Sequence, residues 1–565
     1  MSRTRIRRPA AFRRAGHRIA NLVRPGVNIT PAPDVRAEYD VAVPVRDGTI
    51  LRLNIFHPDS PGPHPVIMSA HPYGKDRMPV RGRGGRAIDV QYRIMPQPDR
   101  VRFSELTSWE APDPAIWTAH GYVVVNADLR GGGTSEGIGS MFTTAEAQDY
   151  FDLIEWVGTQ PWCTGRVGLD GVSYLALSQY RVAELRPPHL AALCVWEGFS
   201  DFYRDFAYPG GVREDGFSRL WSAVTARRTR MTENLRTEIL RRPDRDDWYT
   251  AHTPTLERIQ VPMLVCASFS DHNLHSRGSF EAFRRAGSTR KWLYTHRDGK
   301  WSHYYGAEAT RERIRFFDHV LRDADNGWDS RPAVRLAVHA EGARPADITY
   351  VDDWPPSDTK TAVLHLNTDG QLTADPETTG GQRSFRSRRA ALAWTWTAPE
   401  DIDILGPSTL RLHVALADAD DMNLFVVLRK FRDGREVCFE GSYGFNADVV
   451  TKGWQRLAHR TLDPALSTPL QPVHTHHEAE PLTPGVPVAV DVALLPHATR
   501  IHRGEQLRLE IGGRWAFARD PLRGQFPGWY RQSPNTTCSI HTGPDQPATL
   551  TFAWRPAEVE HPEKP

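Results

Sequence analysis

Between residues 65 and 295 short apolar runs alternate with segments of helical period, and this alternation constrains the fold more than any other feature. Residues 65–70, 122–127, 166–170, 261–267 and 291–295 have the length and composition of buried strands. Between them, residues 146–158 set Tyr150, Phe151, Ile154 and Val157 on one helical face, and a second helix is expected from 174 to about 185. Strands joined by helices form a mostly parallel sheet covered on both faces. Ahead of it, residues 39–45 and 50–56 flank Asp47-Gly48, a hairpin signal.

The 565 residues exceed what one core holds, so two to four units are expected. Residues 196–259 are aromatic and arginine-rich, with 217–240 of helical period and no candidate core strand. An insertion of this kind between sheet strands is a helical cap over the strand ends, where such sheets bind ligands. From 331 to 556 alternating strands such as 409–416 and 506–511 are separated by Gly, Pro and Asp turns, which predicts a C-terminal β-sandwich of jelly-roll type. The α/β unit is then 37–195 plus 260–330, with tails at 1–36 and 557–565.

Composition narrows the partners. A net charge of +2 supplies no global field for nucleic acid or an anionic membrane, and neither is expected. Five scattered cysteines form no zinc spacing and no disulfide framework. The N-terminus is arginine-rich with no acidic residue before Asp34, and no apolar stretch of a secretory signal follows it. It reads as a solvated basic tail on a cytoplasmic protein, although a mitochondrial presequence shares the composition.

The chemistry gathers around Gly171-Val-Ser173-Tyr174, which follows a strand and opens a helix. A serine on so sharp a turn has its Oγ pushed out above the sheet edge. The strict G-x-S-x-G pattern fails at Leu175, and Ala176 is the small residue on that side. Taken alone, the motif is equally an ordinary helix cap. Context adds the rest: Asp271 follows the strand at 261–267, and His303 lies in the loop after the strand at 291–295. The order serine, acid, histidine is that of an α/β-hydrolase triad. His272 and His275 are set aside because they stand beside the acid, and His296 because it ends its strand. One oxyanion donor expected is the backbone N–H of Tyr174. The hydroxyl of Tyr73, from the loop 71–75, would serve as the second, although by itself Tyr73 reads as a buried core tyrosine.

With these residues quoted, the sequence resembles the CocE/NonD hydrolases, the cocaine-esterase and X-prolyl dipeptidyl aminopeptidase type. The resemblance spans about residues 39–517. It is carried by His71-Pro-Tyr-Gly-Lys75, Asp128-Leu-Arg-Gly-Gly-Gly133, Gln160-Pro-Trp162, the elbow at Ser173, and Arg503-Gly-Glu-Gln-Leu-Arg-Leu509. It implies an α/β-hydrolase core, a cap and a jelly roll, with Ser173, Asp271 and His303 as triad and the Tyr73 hydroxyl and Tyr174 N–H as oxyanion donors. It also implies acyl transfer to water without metal or cofactor. A small-molecule ester is the substrate expected first, and a short peptide second. A hydrolase fold used only for binding is the third reading, which an intact triad argues against. Trp196, Phe199, Tyr203, Phe206 and Trp301 are the candidate substrate pocket. Cap acids Glu197, Asp201, Asp205 and Glu214 either hold a substrate ammonium or pair with neighbouring arginines. The run 474–478 lacks the helical histidine pair of a metal site.

Overall fold

The structure, a computed structural model, describes residues 10–82, 85–444, 446–517 and 528–557. Ten strands share the first sheet: β1 (Arg36–Pro44), β2 (Ile50–His57), β3 (His64–His71), β4 (Val123–Asp128), β5 (Cys163–Val172), β6 (Leu190–Trp196), β7 (Met263–Ser268), β8 (Lys291–His296), β9 (Val334–Val338) and β10 (Asp347–Val351). Their order is β10-β9-β8-β7-β6-β5-β3-β4-β2-β1. Neighbours from β4 to β9 run parallel, while β1, β2 and β10 pair antiparallel at the two edges. The central strands are buried along their whole length because helices cover both faces.

Eight helices matter below: α1 (Ala10–Val23), α2 (Val90–Ile94), α3 (Thr144–Gly158), α4 (Tyr174–Ala183), α5 (Phe217–Thr225), α6 (His272–Arg285), α7 (Lys300–Tyr304) and α8 (Ala307–Arg322). The chain leaves β3 for β4 on one side and places β5 on the other. The crevice beyond the carboxyl ends of β3 and β5 is therefore the topological switch point where open α/β sheets bind ligands. The segments that emerge there are the 71–75 loop and the turn at Ser173.

The fold is that of an α/β hydrolase followed by an all-β unit. Twelve strands among the described residues form the C-terminal sheet, every pairing antiparallel, around its own core of residues such as Leu412, Val492, Leu509 and Phe552. Its first strand is Lys360–Leu366, not a segment near 331. Residues 334–351 instead add β9 and β10 to the first sheet, because β9 is wholly buried and parallel to β8. The cap is helical, but the single helix expected over 217–240 is two, α5 and Leu235–Arg241. Between them Arg230 exchanges backbone hydrogen bonds with Gly131 and Gly139 (3.0 and 2.8 Å), and this ladder displaces helical bonding. The expected N-terminal tail contains α1 and a strand, Val27–Thr30, paired with Val101–Ser104. Residues 1–9 and most of the C-terminal tail lie outside the described residues.

One buried ion pair supports the turn at Ser173 from below. Asp170 of β5 accepts from Arg313 Nη1 of α8 at 2.6 Å, and both groups are excluded from water. Removing one member of such a pair leaves an uncompensated buried charge. Arg313→Met is expected to lower the unfolding free energy by roughly 3–5 kcal/mol. Urea titration followed by tryptophan fluorescence measures it, and a midpoint unchanged from wild type would contradict the assignment.

Candidate active site

Ser173 ends β5 and begins α4 with φ 61° and ψ −114°, a conformation that costs a non-glycine residue of order 1–3 kcal/mol. The strain is imposed by close packing. A Cβ on Gly171 would stand 2.5 Å from Leu175 Cβ, and the Gly198 backbone lies against Ala176, so small residues are required on both sides. Ser173 N–H donates to Trp196 O of β6 at 3.1 Å, while its side chain makes no helix-capping bond. Its Oγ is left free to face a partner.

That partner is His275, whose Nε2 lies 3.3 Å from Ser173 Oγ. His275 Nδ1 is hydrogen-bonded to Asp271 Oδ2. Asp271 is the N-cap residue of α6 and His275 stands four residues on, one turn up the same helix. The Asp271 side chain makes no capping bond because it is turned toward the imidazole. Backbone N–H groups at this helix end still favour a carboxylate there.

His303, the histidine expected beside Ser173, is engaged elsewhere. Its ring stacks on His296 at 4.4 Å, its Nε2 meets the Tyr294 hydroxyl at 3.0 Å and its Nδ1 meets Asp298 Oδ2 at 3.3 Å. The space it would need next to Asp271 is filled by Lys300, three residues earlier on α7. Lys300 Nζ donates to Asp271 Oδ2 at 2.7 Å, approaches Glu197 Oε2 at 3.5 Å and lies 3.0 Å from His275 Nδ1. With Nδ1–H donating to Asp271, the last contact is a close positive charge and not a hydrogen bond. Glu197, Asp271 and His275 are near enough to one another to share a cation, and the Lys300 ammonium supplies it.

This charge sets the protonation of the site. Burial lowers the His275 pKa below its ordinary value, and Lys300 lowers it further against the opposing pull of Asp271. Burial would raise the Asp271 pKa, but Lys300 and His275 outweigh it and hold that carboxyl well below the usual range. Burial, with the neighbouring Asp271, pushes the Glu197 carboxyl above its ordinary range against the opposing pull of Lys300. The Ser442 hydroxyl, from the C-terminal unit, donates to that carboxyl at 3.1 Å.

Tyr73 reaches the same site from the 71–75 loop. That loop is pinned by Asp128, which accepts from Lys75 N (2.5 Å) and Thr134 N (3.0 Å), giving the glycine-rich run its structural role. The Tyr73 oxygen accepts from Trp221 Nε1 of α5 at 3.0 Å, so its own proton is free to donate elsewhere. Burial keeps that hydroxyl protonated. Tyr174 N–H is the first of α4 and so has no carbonyl one turn earlier to bond. Its side chain donates instead to Glu146 at 2.6 Å.

Ser173, Tyr73 and Lys300 line one cavity of about 120 Å³, walled by Trp109, Trp221, Trp301 and Tyr443. Of the five pocket residues expected, only Trp301 is on that wall. Phe199 stacks over His275 at 6.4 Å and packs with Phe206 inside the cap. Tyr203 packs between Tyr208 and Tyr249, and Trp196 lies beneath His296 and His303. These aromatics build the cap and the sheet end. The cap acids are likewise occupied: Asp201 and Asp205 pair with Arg204 and Arg277, and Glu214 caps α5. The carboxyl that does face the cavity is Glu110, which accepts from Trp301 Nε1 at 3.1 Å and is pushed by burial up to about 7.

Residues 47–305 match the family model described as X-Pro dipeptidyl-peptidase (S15 family), and residues 326–551 match the X-Pro dipeptidyl-peptidase C-terminal non-catalytic domain. A crystal structure of a CocE/NonD family hydrolase from Staphylococcus aureus is 33% identical with a TM-score of 0.87, covering 92% of this chain and 93% of that one. The chain belongs to the CocE/NonD hydrolases. Cocaine esterase from a Rhodococcus species is 26% identical, over 66% of this chain and 70% of that relative. A putative serine esterase from Mycobacterium tuberculosis is 23% identical, over 85% of this chain and 92% of that one. This CocE/NonD protein is thus a serine hydrolase of the esterase and peptidase type.

Because the Lys300 charge opposes a second proton on His275, Lys300→Met is expected to raise the His275 pKa. Imidazole resonances followed by NMR across a pH titration measure this. A His275 pKa that is unmoved, or that falls, would contradict the electrostatic account.

Proposed function

We propose that the protein cleaves carboxylic esters through an acyl-enzyme on Ser173, with His275 as general base and Asp271 as the group that orients it. The observation that carries this reading is the chain of contacts from the strained Ser173 through His275 Nε2 to Asp271. Ser173 Oγ attacks the ester carbonyl as its proton passes to His275 Nε2. The Tyr73 hydroxyl and Tyr174 N–H donate to the oxyanion that forms. Collapse breaks the bond to the alcohol oxygen, which leaves with the proton from His275. Water then attacks the acyl-enzyme by the same steps in reverse roles, releasing the acid and restoring Ser173. A cavity of about 120 Å³ suits a short acyl chain or one aromatic ring, since an apolar cavity of about 150 Å³ takes up benzene.

Glu110 supports a second reading. A buried carboxyl on the cavity wall could hold the free ammonium of a peptide or amino-acid derivative. Hydrolysis of p-nitrophenyl esters with short and aromatic acyl groups, beside an Ala-Pro p-nitroanilide, separates the two. Turnover of the esters supports the first, and selective cleavage of the anilide supports the second.

Three further outcomes are expected. Ser173→Ala and His275→Ala should lower kcat by roughly 10⁴-fold or more, whereas His303→Ala should stay within about tenfold of wild type. The reverse ranking of the two histidines would overturn the assignment of the base. Tyr73→Phe should cost roughly 10²–10³ in kcat with little change in KM. A loss confined to KM would move Tyr73 from oxyanion donor to ground-state contact. The base must be neutral, and its pKa is lowered in the folded protein, so the acid limb of kcat/KM should lie below pH 6.5.

A further inference from the structure

Helix α1 is placed inside out. A helix on a protein surface in water turns its apolar stripe inward and its polar stripe to solvent. Here Arg18 and Asn21 are 3% and 7% exposed, while Ile19, Leu22 and Val23 are 52%, 42% and 72% exposed. The inward side is held by polar bonds. Asn21 Nδ2 donates to Tyr92 O and Arg93 O of α2 at 2.7 and 2.8 Å, and Asn21 Oδ1 accepts from Gly26 N at 3.2 Å. Among the described residues nothing covers the aliphatic side chains Ile19, Leu22 and Val23.

The segment of sequence that carries that face has charge of one sign. Residues 1–33 contain eight arginines (Arg3, Arg5, Arg7, Arg8, Arg13, Arg14, Arg18 and Arg24) and no acidic residue. The net charge of the whole chain conceals this local excess. We propose that α1 docks the protein on an anionic lipid bilayer, with Ile19, Leu22 and Val23 entering the headgroup and acyl boundary and the arginines other than the buried Arg18 meeting the anionic headgroups. An amphipathic helix of this composition lies in the plane of such an interface, held by buried apolar area and by charge. Nucleic acid would use the arginines and leave the aliphatic side chains in water. A second copy of the chain would cover them but bring two such cationic segments together.

The position of α1 gives the docking a use. It packs on α2, and α2 lends Val90, Gln91 and Ile94 to the wall of the Ser173 cavity. Val90 and Leu220, both on that wall, are themselves 56% and 37% exposed. Aliphatic surface therefore occurs both on α1 and at the cavity wall that α2 forms.

The test is flotation of the full chain with vesicles of phosphatidylglycerol and phosphatidylcholine in about equal parts, and with phosphatidylcholine alone, at about 0.1 M salt. Flotation with the anionic vesicles only is expected, lost on raising the salt about fivefold. The double variant Ile19→Asp, Leu22→Asp is expected to weaken it at least about tenfold while leaving turnover of a water-soluble ester within about twofold of wild type. The variant Arg3→Gln, Arg5→Gln, Arg7→Gln, Arg8→Gln, at positions outside the described residues, should also weaken it. The proposal is overturned by failure to float with anionic vesicles, or by flotation that neither variant reduces. A dimer without lipid that the double variant dissolves would equally overturn it, since the aliphatic face would then belong to a second copy.

Discussion

The ammonium of Lys300 is the charge on which the site depends. Asp271 and Glu197 are buried side by side, and two such carboxyls cannot both ionise without a cation between them. Lys300, with His275, holds the Asp271 carboxyl low, burial beside Asp271 pushes the Glu197 carboxyl up, and the Lys300 charge adds to burial in lowering His275. One charged side chain thus bears on the ionisation of all three. Its position is in turn set by the C-terminal unit: Lys300 N–H donates to Ser442 O at 2.7 Å, and its Nζ stands 5.0 Å from the centre of the Tyr443 ring.

The cap acts on the same centre from the other side. Trp221 donates to the Tyr73 oxygen and stacks at 5.9 Å on the Tyr174 ring, so one residue of α5 touches both tyrosine side chains beside Ser173. The direction of the Tyr73 O–H is thus fixed by cap packing, not by the loop that carries it. A polar group oriented before the reaction needs no reorganisation when charge develops, which is the usual source of oxyanion stabilisation.

Much of this was legible in the sequence. The alternation of buried runs and helical periods gave the sheet, and the strand–Gly–x–Ser–helix turn gave Ser173. The strand end before Asp271 pointed to the proposed acid, and the 71–75 loop to Tyr73, which the structure places beside Ser173. The histidine was not legible by the same logic. His275 and His303 both follow Asp271, and the choice between them depends on how α7 is seated, a tertiary matter. The signal present was the spacing Asp271-x-x-x-His275, which on a helix brings a carboxylate and an imidazole onto one face. Aromatic clustering likewise could not separate pocket from packing. The cavity wall draws Trp109, Trp221, Trp301 and Tyr443 from distant stretches, whereas Phe199, Tyr203 and Phe206, close in sequence, fill the cap. The first sheet extends to residue 351 because β9 is a buried parallel strand, which composition does not distinguish from the strands that follow.

The loop that brings Ser442 and Tyr443 to the site is wedged in place. Gly444 has φ 66°, and a Cβ there would stand 1.4 Å from Pro96 O, so the backbone of the C-terminal unit lies directly on the segment before the 97–100 turn. Nearby, Lys452 donates to His272 at the start of α6 at 2.9 Å, reinforcing the same seam. Residues that shape the neighbourhood of Ser173 thus leave the ribosome well over two hundred positions after it. During synthesis the α/β portion can emerge and collapse while its reactive serine still lacks the lysine's anchor and one cavity wall. The surroundings of Ser173 are complete only once residues 442–444 have been made and seated against Pro96.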